Sequence, residues 1–250
     1  MSAPIGAPRL VGVGVGPGDP ELVTVKGVRL LQQADAVVVP VMADAGPGRA
    51  EATVACYVAA DRIVRAVFAL DERDGLTARR EQAWDDAGDV VLDLFARGAN
   101  LVAFATIGDP NVYSTFTYVA ATVQQRRGDV EVITVPGVTA MQDLAARSGT
   151  VLCEGREPLT LIPMTAGMDV VEAALAGPGT VVAYKGWRRH PELLAAIERH
   201  GRSGDVVVGS GLGLPDEQIT RADRPPAGVS LPYLSTVLVP ARRDRRGGKL

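Results

Sequence analysis

Cysteine is almost missing from this chain of 250 residues. Cys56 and Cys153 stand alone, with no Cys-x-x-Cys pair and no histidine beside them, which argues against a disulfide framework and against a zinc site. Aromatic residues make up only 4% against 47% hydrophobic overall, so the interior must be built from Val, Ala and Leu. No apolar run approaches the roughly 18 residues of a membrane span, and residues 1–8 lack the basic start and apolar core of a signal peptide. Net charge is −3, and the acidic and basic residues are dispersed. The one basic cluster, Arg242-Arg243-Asp244-Arg245-Arg246, reads as a short frayed tail rather than a nucleic-acid footprint. A soluble cytoplasmic protein is expected, with neither nucleic acid nor membrane as partner. Two phosphate-binding signatures are missing as well: there is no G-K-[ST] loop and no G-x-G-x-x-G opening a helix.

Glycine (28) and proline (17) exceed average usage, and they sit at the ends of aliphatic runs, where they serve turns. Such runs suit strands buried on both faces of an α/β fold. Strands are predicted over 10–15, over 36–39 (stopped by Pro40), and over 62–68, 101–105 and 130–135. Helices are predicted from an N-cap at Thr24 through 34, with Val28, Leu30, Leu31 and Ala34 inward, and over 51–60, 76–97 and 113–125. In the long helix, Ala83, Ala87, Val90, Val91, Leu94 and Phe95 recur at spacings of three and four, and Gly98 is the stop. Beyond these, helices are predicted over 139–148, 169–175 and 191–200, the last with Pro191 in its first turn. Strands are predicted over 159–162, 180–184, 205–209, 218–221 and 236–239. A boundary near Pro136–Gly137 divides the chain into 1–136 and 137–250, two α/β domains with a cleft between them.

Two turns carry most of the functional information. Gly14-Val15-Gly16-Pro17-Gly18-Asp19-Pro20 follows the first strand, and Ile107-Gly108-Asp109-Pro110-Asn111-Val112-Tyr113 follows the fourth. Both are strand–turn–helix junctions of the kind that build ligand sites at the carboxyl edge of an open sheet. Asp109 can accept from a ligand or from backbone N–H groups, and both readings stay open. A hydroxyl-rich stretch, Tyr113-Ser114-Thr115-Phe116-Thr117-Tyr118, continues the second turn, and Val135-Pro136-Gly137-Val138-Thr139-Ala140 repeats the pattern. His190 and His200 flank a predicted helix and are expected at the surface, with no metal site. Lys185, Arg188 and Arg189 could form a basic lip or a solvated turn.

The segments VGVGPGDPELVTVKGVRLLQQADAVVVP, AFATIGDPNVYSTFTYVA and VPGVTAMQ, in that order, resemble the tetrapyrrole (corrin and siroheme) methyltransferases, with similarity running over about 10–239. An AWDDAGD helix and PYLSTVLV point, within that family, to the branch serving cobalamin biosynthesis. The resemblance implies a class III methyltransferase of two α/β domains with S-adenosylmethionine in the cleft. It implies cofactor contacts at Pro17, Thr106, Ile107, Gly108, Asp109, Val112, Tyr113, Thr139 and Ala140. In the second domain it implies contacts at Tyr184, Lys185, Gly209, Ser210, Gly211 and Leu212. Many relatives have Met where Lys185 stands, which implies a main-chain role there. Gly14, Gly16, Gly18 and Asp19 would face the tetrapyrrole, and a homodimer is expected.

Methyl transfer from a sulfonium is an in-line displacement, in which alignment alone can contribute roughly 7–11 kcal/mol. Tyr113 and Asp19 are candidates for removing the proton left on the methylated carbon. The carboxylates of a tetrapyrrole call for local cations, with Lys185, Arg188 and Arg189 first and Arg79 and Arg80 next. The alternatives are a relative that methylates another ring carbon or a protein side chain, an NAD(P)-dependent oxidoreductase, and a non-catalytic nucleotide-binding module. The oxidoreductase lacks an acid at the end of its second predicted strand, and Pro17 and Pro20 interrupt its turn.

Overall fold

The computed structural model describes residues 6–43, 46–69, 75–185, 189–222, 232, 234–245 and 247. The chain divides into two compact units, Met1–Thr139 and Ala140–Leu250.

In the first unit five strands pair in the order β3-β2-β4-β1-β5: β1 (Arg9–Gly14), β2 (Ala36–Met42), β3 (Ile63–Phe68), β4 (Leu101–Thr106) and β5 (Glu131–Val135). Every pairing is parallel. Alternation along the strands assigns the two faces. Val11, Val13, Ala103 and Ala105 pack with Leu30 and Leu31 of α1 (Val25–Gln33) and Val54 of α2 (Arg49–Val54). Leu10, Val102 and Phe104 pack with Val91 and Phe95 of α3 (Ala78–Ala96) and Phe116 and Val119 of α4 (Phe116–Arg126). All six residues of β4 are buried, which accounts for its unbroken apolar run.

Local signals explain the helix ends. Thr24 accepts from the Gly27 amide as N-cap of α1, and Thr77 accepts from Arg80 at the start of α3. At Gly98 (φ 99°) α3 closes with Ala99 N–H donating to Leu94 and Gly98 N–H to Phe95, a Schellman ending.

Three elements differ from expectation by more than two residues at one end. β2 continues through Pro40 to Met42, because its pairing with β4 ends at Val38 and the missing N–H falls where only β3 is a partner. α2 covers Arg49–Val54 rather than 51–60, ending in tight turns in which Cys56 N–H bonds Thr53 and Tyr57 N–H bonds Val54. α4 starts at Phe116 rather than Tyr113, since Tyr113 holds φ at 51° and cannot belong to a right-handed helix.

The second unit holds a mixed sheet in the order β6-β7-β10-β8-β9: β6 (Leu159–Pro163), β7 (Thr180–Tyr184), β8 (Val206–Ser210), β9 (Gln218–Ala222) and β10 (Thr236–Val239). Only β6 and β7 are parallel. α6 (Met168–Ala176) and α7 (His190–Arg199) cover one face, and α5 (Ala140–Ser148) packs on the other. Arg202 is buried, and its guanidinium donates to carbonyl oxygens of Leu175, Gly177, Gly179, Val239 and Pro240. Five backbone acceptors thus satisfy a charge whose pKa burial pushes down.

Two surface expectations are corrected here. His190 is buried, because it lies three residues before Leu193 on the stripe of α7 that also carries Ala196 and Ile197. His200 is half-buried, with its Nε2 2.6 Å from Glu172. Arg242 and Arg243 of the basic tail are docked rather than frayed: Arg242 donates to the carbonyl oxygens of His200 and Gly201, and Arg243 forks onto Glu157 at 2.5–3.1 Å, whereas Arg246 lies outside the described residues.

Candidate functional site

In the first unit the chain leaves β1 for α1 on one face and leaves the adjacent β4 for α4 on the other. A doubly wound sheet opens its ligand crevice at such a switch point, beyond the carboxyl ends of the strands. The three glycine-bearing turns meet at this edge.

Their junction is backbone against backbone. Gly16 and Gly108 form a bridge in which Gly108 N–H donates to the Gly16 carbonyl at 2.8 Å, just beyond Val15 N–H to Thr106 at 2.9 Å. A β-carbon on Gly14 would lie 2.5 Å from the Gly108 oxygen and 2.6 Å from the Gly137 nitrogen. One on Gly137 would lie 2.8 Å from the Gly14 Cα. Only glycine fits at either position.

Asp109 locks the junction. One carboxylate oxygen accepts from Asn111 N–H at 2.8 Å, and the other accepts from Gly137 N–H at 3.0 Å. Of the two roles open to this side chain, the structure displays the backbone one, joining the turn after β4 to the turn after β5. Asn111 adds a bond from its amide to Thr134 at 3.2 Å. Thr106 shares a 2.9 Å hydrogen bond with Ser114, whose hydroxyl also accepts from the Phe116 amide. The hydroxyls after the turn therefore organise the start of α4. Asp19 accepts from Glu21 N–H at 2.9 Å and caps a short 3-10 turn over Pro20–Leu22. The loop is tied to α2 by Thr53, 3.3 Å from the Gly18 oxygen, and to the turns after α2 by Tyr57, which donates to Pro20 at 2.6 Å. Ile107 packs against the core on the α1 face, Val112 N–H bonds back to the Asp109 carbonyl at 3.2 Å, and Thr139 is buried at the end of the third turn.

Among the described residues only Tyr113 (φ 51°) and Lys185 (φ 59°) hold a left-handed backbone without being glycine. Such conformations cost of order 1–3 kcal/mol, and they concentrate where a ligand or mechanism needs them. Both were singled out from sequence. Tyr113 is half exposed, and burial of its hydroxyl pushes its pKa above the ordinary phenol range.

In the second unit the remaining residues cluster at the ends of β7 and β8. Tyr184 accepts from the Met141 amide in the first turn of α5 at 2.9 Å, one residue after Ala140. Ser210 and Leu212 are buried, and Gly211 (φ 62°) and Gly213 (φ 73°) shape the exit of β8. Glu217 accepts from Gly213 N–H at 2.8 Å and also meets Arg147, which pairs with the buried Asp143. A β-carbon on Gly209 would meet the Leu144 side chain at 2.6 Å. Arg189 is exposed and lies 3.8 Å from Glu192, whereas Arg188 lies outside the described residues. Among the described residues no group of His, Cys, Asp and Glu is placed to hold a metal ion, and no helix is long and apolar enough to cross a membrane.

Residues 9–225 match the family model of the tetrapyrrole (corrin/porphyrin) methylases, and the chain belongs to that family. A precorrin-2 C(20)-methyltransferase of a Sinorhizobium species is 31% identical, covering 96% of this chain and 98% of its own. A cobalt-precorrin-2 C(20)-methyltransferase of Salmonella typhimurium is 30% identical, over 92% and 95%. The crystal structure of a uroporphyrin-III C-methyl transferase from Thermus thermophilus, complexed with S-adenosylhomocysteine, superposes with a TM-score of 0.62 at 24% identity. It covers 92% of this chain and 96% of its own, and it shows the same fold.

Proposed function

We propose that this protein transfers the methyl group of S-adenosylmethionine to C20 of precorrin-2, giving precorrin-3A on the way to cobalamin. The observation that carries this reading is the fused backbone junction of Gly14, Gly108 and Gly137 at the β1–β4 switch point, clamped by Asp109. The full-length similarity to C20 methyltransferases supports the choice of substrate.

The residues fit the cofactor. Glycine turns expose main-chain groups to a ligand without side-chain bulk, and the left-handed Tyr113 and Lys185 turn their peptide groups out of the regular strand and helix directions. The cofactor supplies a methyl carbon on a positively charged sulfur. Pro17 and the turns after β4 and β5 are proposed to contact it and keep water from the sulfonium, Gly14, Gly16, Gly18 and Asp19 to face the tetrapyrrole, and Tyr184, Lys185 and the turn after β8 to be cofactor contacts of the second unit. Bridging carbon C20 belongs to an electron-rich conjugated system, so attack needs alignment rather than a strong base. A proton must then leave C20. Burial raises the Tyr113 pKa above the ordinary phenol range, which keeps its hydroxyl protonated at neutral pH and sets it against a role as the base. A cytoplasmic homodimer is part of the proposal, and light scattering at micromolar concentration checks the dimer.

The test is anaerobic incubation with S-adenosylmethionine and carbon-labelled precorrin-2, with and without cobalt, read by mass spectrometry and carbon NMR. One added methyl at C20 supports the reading, and the faster arm identifies the metal state, here expected to be metal-free. Cofactor binding without methylation of either tetrapyrrole overturns the substrate assignment.

A further inference from the structure

Arg49 stands out among the arginines of the first unit. Arg62, Arg80 and Arg127 are half-buried, and each is held: Arg62 by the carbonyls of Gln32 and Ala34, Arg80 by that of Gly75, Arg127 by Asp129. Arg49 is also half-buried, yet among the described residues its guanidinium bonds to nothing. Its backbone is nonetheless fixed. It opens α2 at the carboxyl edge of the sheet, and the Thr53 hydroxyl lies 3.3 Å from both the Arg49 and Gly18 carbonyl oxygens. Just after the helix, Tyr57 donates to Pro20. The carboxylate nearest in sequence, Glu51, is already held bidentately by Arg65, at 2.8 Å on both oxygens, and that guanidinium keeps Glu51 below its usual pKa.

We infer that Arg49 is the residue that receives a peripheral carboxylate of the tetrapyrrole, beside the Gly14–Asp19 loop. A guanidinium fork matches a carboxylate bidentately, and such charge-assisted pairs are the strong ones. A protein of net charge −3 gains nothing from its overall field for a polyanionic substrate, so the cation must be local and unspent. Arg49 meets both conditions. Sequence reading passed over it because a lone arginine in a loop-to-helix segment carries no motif. The inference rests on the proposed reading of the substrate.

The experiment measures anaerobic binding of sirohydrochlorin, the two-electron-oxidised form of precorrin-2, by absorbance titration, alongside S-adenosylhomocysteine by calorimetry. Arg49→Ala is expected to weaken sirohydrochlorin by about tenfold or more and to leave S-adenosylhomocysteine within about twofold, with Arg49→Lys in between. Arg97→Ala, after α3 at the opposite edge of the sheet, controls for net charge and is expected to match wild type. Unchanged sirohydrochlorin affinity in Arg49→Ala overturns the inference, as does equal loss of both ligands. If wild type binds sirohydrochlorin through Arg49 yet methylates no precorrin-2, the carboxylate role stands and the C20 reading falls. A wild-type protein that binds no polycarboxylate tetrapyrrole overturns both.

Discussion

The two sheets place glycine at their candidate edges for different physical reasons. In the first unit, Gly14 and Gly137 press main chain against main chain, with the Gly108 carbonyl between them. In the second, Gly209 faces the methyl groups of Leu144, which can rotate away. A parallel sheet with helices on both faces forces its crevice to a fixed switch point, and three turns converge there. The mixed sheet has no such constraint, and its edge is organised by side chains: Tyr184 onto Met141, and Glu217 onto Gly213. The first edge is therefore rigid and intolerant, whereas the second is adaptable.

The largest effect that can break this contrast is expected for Gly14→Ala. Its methyl group must displace backbone, which should cost about 3 kcal/mol and abolish S-adenosylhomocysteine binding. Thermal denaturation and calorimetry read both, and a variant as stable as wild type would refute the fused junction. Asp109→Ala comes next. Two backbone amides lose their acceptor, for an expected loss of about 2 kcal/mol. S-adenosylhomocysteine should weaken with it, and Asp109→Asn should recover part of both. An unchanged dissociation constant would leave Asp109 as a turn residue only. Gly209→Ala should cost only about 1 kcal/mol, because Leu144 yields. A loss equal to that of Gly14→Ala would erase the difference between the units. The smallest effect is expected at Lys185. If its backbone carries the role, both Lys185→Gly and Lys185→Met keep S-adenosylhomocysteine affinity within about threefold, under 1 kcal/mol. Parallel losses beyond that would assign the role to the ammonium group.

Most of the first sheet was legible because its central strands are buried on both faces and read as aliphatic runs between glycine and proline. Thr24 and Gly98 mark helix ends by chemistry local to the chain, and both act as expected. Misreadings came from tertiary context. Pro40 remains in a strand because one neighbour is missing at that height, which no local pattern reports. The docked tail depends on Glu157, 86 residues away from Arg243. His190 was recoverable, since its spacing to Leu193 and Ile197 places it on the buried stripe. At the candidate site the motifs located the turns. They did not disclose that Asp109 spends both oxygens on backbone, or that Arg49 opens α2 beside the loop with its guanidinium unbonded among the described residues.

Amide hydrogen exchange with and without S-adenosylhomocysteine tests the central claim most directly, because it needs no variant to fold. Slowed exchange in the peptides covering 14–20, 106–115 and 135–139 is the predicted result, since those turns form the crevice at the switch point. Protection confined to the opposite edge of the sheet, around 97–101, or no protection anywhere in the first unit, would contradict it.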